Sequence, residues 1–322
     1  MNFTSSYPGE IAAIMTTLSW SIGVFPSTES ARRLGPNTVN HYRLLLAALL
    51  LTIILITSSS ISLVELFTLP DARNWLWLGI SGIIGLTLGD YFGFTMFAII
   101  GTRIGSLFLT LAPGAALLFG YFLINESISV TGIIGISITI AGVAWLSISK
   151  KEKAKIPDLG HGNINKGIFF GILSAICQGI GLVMAKKGFY NETIAGDLNA
   201  IHATWIRMLI ATLTLFLYTI TSGRIKSVSG AFIQNKDNGI IYMFAGTVFG
   251  PVIGVSMSLY AISFLKVSIA QTIFSLVPVF VLLLAFLFYK EKITLKSLIG
   301  VLIAITGVII LIWRDEIREC LF

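Results

Sequence analysis

Ten stretches of predominantly apolar residues alternate with short polar segments, at residues 9–30, 38–57, 75–99, 104–124, 129–148, 167–187, 200–221, 239–263, 269–289 and 295–313. Runs of about 20 apolar residues match the hydrocarbon core of a bilayer when they are helical. The pattern therefore predicts an all-α integral membrane protein with ten transmembrane helices. The longest polar interruption, Ser149 to Lys166, separates two sets of five spans. This divides the chain into a first unit at 1–148, a polar linker at 149–166, a second unit at 167–313 and a short polar tail at 314–322. Five is an odd number of crossings. A second copy of a five-helix unit must insert upside down, so the expectation is two inverted five-helix repeats related by a pseudo-two-fold axis in the membrane plane.

A fixed offset supports the duplication. Leu111, Pro113, Leu117, Glu126, Gly135 and Gly142 recur 165 residues later as Leu276, Pro278, Leu282, Glu291, Gly300 and Gly307, and 14 of the 46 positions from 101 to 146 match their partners without a gap. Shared Leu and Ile follow from apolar composition; the proline, the glutamate and the two glycines in step do not. Repeats of this kind place a substrate site where the halves meet.

Composition strengthens the membrane reading, with 55% apolar residues, 11% charged residues and a mean hydropathy of +0.90. The N-terminal MNFTSSYPGE carries no basic segment ahead of the first apolar run, so that helix is expected to be retained rather than cleaved. Cys177 and Cys320 have neither disulfide-framework nor metal-ligand spacing, and no cofactor is expected. The net charge of +7 lies mostly at helix ends, as topology signals do; nucleic acid is not an expected partner. Loops after odd-numbered spans hold fourteen Lys and Arg against six on the other side, a bias that puts the linker in the cytoplasm and both termini outside.

Small residues at four-residue spacing line the third span (Ser81, Gly85, Gly89, Gly93) and, at the same offset, the eighth (Gly246, Gly250, Gly254, Ser258). Lipid supplies no hydrophobic drive for helix association, so such faces serve close packing, and a smooth face also permits one helix to slide on another. Pro113 and Pro278 fall deep in the fourth and ninth spans. Each removes an intrahelical hydrogen bond and tends to kink its helix, either shaping the bundle or freeing a carbonyl towards a cavity.

The run from Leu111 to Leu146, with its proline helix, Asn125-Glu126 and glycine-bearing last helix, resembles the EamA repeat of the drug/metabolite transporter superfamily. The copy with Pro278, Lys290-Glu291-Lys292, Gly300 and Gly307 is the better match, and Arg43 and Arg207 resemble the arginine early in the second helix of each repeat. The resemblance implies an inverted-repeat carrier of small metabolites with a central cavity and alternating access. It also implies cytoplasmic termini, opposite to the loop-charge count. The first copy departs from the pattern with Asp90, where the second has Val255.

Candidate chemistry follows from the sparse polar groups within spans. A carboxylate such as Asp90 costs roughly 2.5–3.5 kcal/mol at the membrane centre on insertion scales, so it is either a proton-coupling or cation-binding group or the structural partner of Arg43 or Arg103. Arg43 and Arg207 have the planar fork that binds a carboxylate or phosphate, but snorkelling or tying helix ends together is an equal use of them. Trp20 and Gln178 occupy matching places in the first and sixth spans and suit a cavity for a polar or amphipathic solute; Tyr91, Tyr260 and Gln271 are lesser candidates. His41 and His202 are read as interfacial. Glu126 and Glu291 are read as helix caps or ion-pair partners, Glu29 with Arg33 as a helix-end pair, and Lys186 and Lys187 as snorkelling cations.

These features point to a secondary transporter in the cell (plasma or inner) membrane, a monomer or homodimer, moving a small solute such as an amino acid and drawing on Asp90 for proton coupling. A flippase for a lipid-linked substrate and a non-transporting scaffold are the rival readings. An intramembrane enzyme lacks support, since the chain has no HExxH, GxSxG or Cys/His metal motif, and a channel would need a ring of charges or carbonyls.

Overall fold

Apolar runs with no water to hydrogen-bond become helices, because only the i→i−4 ladder satisfies their backbone. The computed structural model describes residues 7–58, 61–147, 163–189, 198–289 and 295–313, and among them the elements are helices, with no strand. Glu291 with its flanking lysines, Cys320, most of the linker and the tail lie outside the described residues. The first half comprises α1 (Pro8–Leu34), α2 (Pro36–Ser58), a short α3 (Leu63–Thr68), α4 (Ala72–Ser81), a π-helical segment (Gly82–Gly89), α5 (Asp90–Phe108), α6 (Ala112–Ile124) and α7 (Val130–Ser147). The second half repeats the sequence of elements as α8 (Ile164–Phe189), α9 (Ala200–Thr221), a short α10 (Ile225–Gln234), α11 (Gly239–Thr247), a π-helical segment (Val248–Val255), α12 (Ser256–Phe264), α13 (Val267–Phe274), α14 (Val277–Tyr289) and α15 (Leu295–Ile312).

Seven helical stretches are long and apolar enough to cross a bilayer, and Leu109–Ile124, Val130–Gly142 and Leu298–Ile312 are apolar but shorter. Helix continues through residues 100–103, where the sequence pattern places the turn between the third and fourth spans; Thr102 and Arg103 are the polar residues there, too few to break the run. The interruption falls later, at a 3-10 turn, Leu109–Leu111, with Pro113 in the first turn of α6. Its counterpart is the break at Ser275 and Leu276 between α13 and α14, directly before Pro278. Each proline lacks the N–H that a preceding turn would bond, so both helices restart at matching places.

The two π segments are a feature the small-residue faces did not announce. One holds Gly82, Gly85 and Gly89, the other Gly250, Pro251 and Gly254. Pro251 cannot donate to the ladder and glycines resist wider turns least, which are recognised causes of local rewinding. The freed carbonyls are taken up across the structure: Ser19 Oγ donates to the Phe249 carbonyl at 2.6 Å, and Ser174 Oγ to the Gly89 carbonyl at 2.8 Å.

Packing exchanges partners between the halves. Helix α1 packs on α11, the second π segment, α12, α13 and α14, while α8 packs on α4, the first π segment, α5 and α6; α2 pairs with α9 and α7 with α15. At the α1 and α8 seams glycine permits backbone to meet backbone: a methyl group at Gly181 would lie 2.8 Å from Gly85 Cα. The α7–α15 seam is similar, with a methyl group at Gly135 falling 2.9 Å from the Gly307 carbonyl oxygen.

Gly307→Leu should therefore force α7 and α15 apart and lower the apparent Tm of the detergent-solubilised protein, overpacking of this kind costing about 1–3 kcal/mol. Gly114→Ala, where an added methyl group meets nothing within 4 Å, should leave the Tm unchanged.

Candidate functional site

Two helices present the same stripe to the interior. Trp20, Gly23, Val24 and Ser27 of α1 and Asp90, Gly93, Phe94 and Phe97 of α5 each follow i, i+3, i+4, i+7 spacing, one face of a helix, and both stripes line one cavity of about 140 Å³. Ser174 and Gln178 of α8, Arg43 of α2, Gly250 and Val255 of the second π segment and Gln271 and Phe274 of α13 complete much of the wall. Both halves thus contribute, and the walls are mainly apolar with polar groups gathered at one place.

That place is an ion pair. The Arg43 guanidinium bonds the Asp90 carboxylate, with Arg43 only 6% exposed. Gln178 Nε2 donates to Asp90 Oδ1 at 3.0 Å and to the Gly85 carbonyl at 3.3 Å, and Gln271 Nε2 donates to the Gln178 carbonyl at 3.3 Å. The Arg43 guanidinium also lies over the Phe94 ring, 4.7 Å from its centroid, a cation–π geometry. Its Nε has no hydrogen-bond partner among the described residues. Five helical elements thus meet at a charged centre whose substituents are held by neighbouring side chains.

The pseudo-repeat is visible in what touches what. Arg43 Nη1 lies 3.2 Å from where a methyl group on Gly250 would be, and Arg207 Nη2 lies 3.3 Å from the same point on Gly85; the two glycines are 165 positions apart. In the same way the Trp20 indole covers Gly254 and the Gln178 amide covers Gly89. The symmetry ends at the carboxylate. Val255 stands at the cavity wall where the first half has Asp90, and Arg207, 3% exposed, forms no ion pair among the described residues.

Of the residues singled out in the sequence, Trp20, Arg43, Asp90, Gln178 and Gln271 line the cavity together. Arg207 is buried behind the first π segment, and Tyr91 and Tyr260 are not on the wall: they are 36% and 43% exposed, Tyr91 tilted against Phe92 and Tyr260 edge to face with Phe264. One residue past Asp90 on a helix turns a side chain about 100° away, and Tyr260 follows Val255 by five. Pro113 and Pro278 are buried at the helix restarts rather than on the wall, although their neighbours Ala112 and Val277 reach it. Sequence reasoning overlooked Phe94, Phe97 and Ser174. The i+4 and i+7 positions from Asp90, and the i−4 position from Gln178, would have named all three.

His41 and His202, read from the sequence as interfacial, are buried within the protein and tie helices together. His41 Nε2 meets Thr219 Oγ1 at 2.6 Å across α2 and α9, and His202 Nε2 meets the Leu66 carbonyl at 2.9 Å, each ring closing a helix-end contact. Glu29 and Arg33 form the expected pair at 2.7 Å. Among the described residues no cluster of three or more His, Cys, Asp or Glu could hold a metal ion.

The cavity extends towards the face at which α1 ends and α8 begins, through Ser27, Phe97, Leu109 and Ser174. The opposite face, at the end of α8, is bridged. Lys186 Nζ stands 2.7 Å from Glu126 Oε1 and donates to the Leu265 carbonyl at 2.6 Å; Glu126 Oε2 accepts from the Val267 N–H at 2.8 Å, capping α13; Lys266 Nζ donates to the Ser127 carbonyl. Glu126 belongs to the first half and the other charged groups to the second. Glu126 is a cap and an ion-pair partner at once, but of distant residues rather than of the next helix and near neighbours: it caps α13, and its cation is Lys186, read from the sequence as snorkelling.

A sequence model of the EamA-like transporter family matches residues 7–148 and 165–313. No curated protein matches the sequence. A solved structure titled only "Crystal structure of protein" is similar in fold, with a TM-score of 0.64 at 14% sequence identity over 94% of this chain and 96% of that one.

Removing one member of a buried ion pair leaves the other uncompensated, at a cost of about 3–5 kcal/mol. Arg43→Gln should accordingly lower the apparent Tm more than the double variant Arg43→Gln/Asp90→Asn does. A double variant no more stable than the single one would show that the pair is not coupled.

Proposed function

The chain belongs to the EamA-like transporter family, and from that premise we propose that this membrane transporter of the drug/metabolite type carries a small polar or amphipathic solute, such as an amino acid, by alternating access. The observation that carries this reading is the cavity shared by both halves, with a hydrogen-bonded Arg43–Asp90 pair on its wall. A pocket of apolar walls with a few convergent polar groups is the usual form of a small-molecule site.

Several features support a ten-helix inverted repeat as the frame. Seven long and three shorter apolar helices sum to ten, the π segments and proline restarts recur at matching places, and α1 and α8 each pack into the other half. The bridge of Glu126, Lys186, Leu265 and Val267 closes one face while the cavity extends to the other, the asymmetry expected of one state of a carrier. Opening the closed face requires separating the halves at that bridge. Residence in the plasma or inner membrane, as a monomer or homodimer, completes the reading.

Asp90 is the proton-coupling group in this account. The charged groups facing it are Arg43 from α2 and Arg207 from α9, with the Gln178 amide bonded to it and the Cys177 side chain beside Gly89. A proton taken up from one side neutralises the carboxylate and breaks its pair with Arg43; its departure on the other side restores the pair, and with it the state that binds solute.

In proteoliposomes with an imposed pH gradient, wild-type protein should accumulate a radiolabelled solute above equilibrium, and Asp90→Asn should exchange it without responding to the gradient. Absence of flux across a broad panel of amino acids and other metabolites would favour a lipid-linked substrate or a scaffold instead.

A further inference from the structure

The described charges at the polar end of the cavity do not balance. Asp90 is the one described carboxylate on the wall, and it is already engaged by Arg43 and Gln178. Arg207 adds a second guanidinium within electrostatic reach of the same carboxylate. It lies against Gly85, whose carbonyl accepts from Gln178, so only the glycine face of the first π segment separates it from the pair. Its Nε has no hydrogen-bond partner among the described residues. Glu126 is paired with Lys186 at the closed face and offers Arg207 no compensation. Two guanidinium groups against one carboxylate leave a surplus of one positive charge, and in an interior of low dielectric such a surplus is felt strongly by whatever occupies the cavity.

We propose that the cargo is an organic monoanion, a carboxylate on a ring-sized apolar body, whose negative charge balances the surplus left by Arg43, Arg207 and Asp90. The proposal rests on the transporter reading and narrows its polar or amphipathic solutes to monoanions, setting zwitterionic amino acids aside. A guanidinium fork receives a planar carboxylate in two parallel bonds, and Arg43 has donors beyond those used for Asp90. The apolar body fits the rest of the wall, where Trp20, Phe94 and Phe274 converge, Trp20 and Phe274 edge to face at 5.2 Å. A cavity near 150 Å³ accepts a benzene ring, and this one measures about 140 Å³. A cation adds to the surplus. A zwitterion brings an ammonium group to a carboxylate that two donors already hold. A phosphate monoester, at about −1.5 to −2 near neutral pH, overshoots the balance.

The surplus traces to one position. Val255 occupies the cavity wall 165 residues after Asp90, where a second carboxylate would stand in the same half as the second arginine. Val255→Asp should therefore restore neutrality, and Arg207→Gln should do so by removing the extra cation.

The test is binding to purified full-length protein in nanodiscs, with 3-phenylpropionate, phenylalanine and phenethylamine as probes of one ring and three charges. Thermal shift and isothermal titration should show saturable binding of 3-phenylpropionate at least tenfold tighter than of either other probe. That preference should vanish in Val255→Asp and Arg207→Gln and persist in Arg207→Lys, which keeps the charge. Equal binding of the three probes, tighter binding of the amine or the zwitterion, or an unchanged preference in a folded Val255→Asp protein would overturn the proposal. Binding of the carboxylate without flux in proteoliposomes would sink the transporter reading and spare the site. Flux of some other solute without carboxylate binding would do the reverse.

Discussion

A charge inside an apolar bundle must be compensated by groups close enough to touch it, and the arrangement around Asp90 follows from that constraint. The carboxylate is met by Arg43 from one helix and Gln178 from another, and Gln178 is in turn tied to Gln271 and to the first π segment. These contacts fix how closely α2, α5, α8 and α13 approach. Glycine makes the approach possible, since Gly85 and Gly89 admit Arg207, Gln178 and Cys177 where a larger residue would hold them off. The same logic runs through the second half, where Gly250 and Gly254 lie beneath Arg43 and Trp20, an indole takes the place of the amide and Val255 stands where the first half has Asp90.

A symmetric frame with an asymmetric lining separates two tasks. The frame consists of features that occur twice: the proline restarts, the π segments, the glycine faces and the exchange of α1 and α8 between halves. The carrier we propose would rock about a pseudo-two-fold axis and present equivalent surfaces in turn, and for that each feature needs its copy. The lining consists of features that occur once: Asp90 against Val255, Gln178 against Trp20. In the transporter we propose, selectivity has no reason to obey the repeat.

Much of this was legible in the sequence because membrane helices expose their rules plainly. The apolar helices, the 165-residue echo and the matching places of Arg43 and Arg207 could be read from hydropathy and position. So could the cavity members Trp20, Arg43, Asp90, Gln178 and Gln271, since polar groups in lipid-spanning helices need an interior use. What escaped were effects of helical phase and of contact across the repeat. Tyr91 follows Asp90 by one residue and so faces outward, whereas Phe94 and Phe97 share its stripe. The π segments arise from glycines and Pro251 acting on backbone geometry, which side-chain patterning does not encode. The Glu126–Lys186 bridge joins residues 60 positions apart, and only the count of crossings hinted that the fourth and sixth spans end on the same face.

The account makes the bridged face a gate that must open in each cycle. Its most direct test joins that face covalently: Ser127→Cys and Lys266→Cys, in a chain with Cys177 and Cys320 replaced by serine, cross-linked by a short, cleavable thiol reagent after reconstitution. Cross-linking should stop solute flux while leaving binding from the cavity side intact, and cleavage should restore flux. Undiminished flux through fully cross-linked protein would contradict the account, because it would mean that the cavity reaches both sides without the halves parting there.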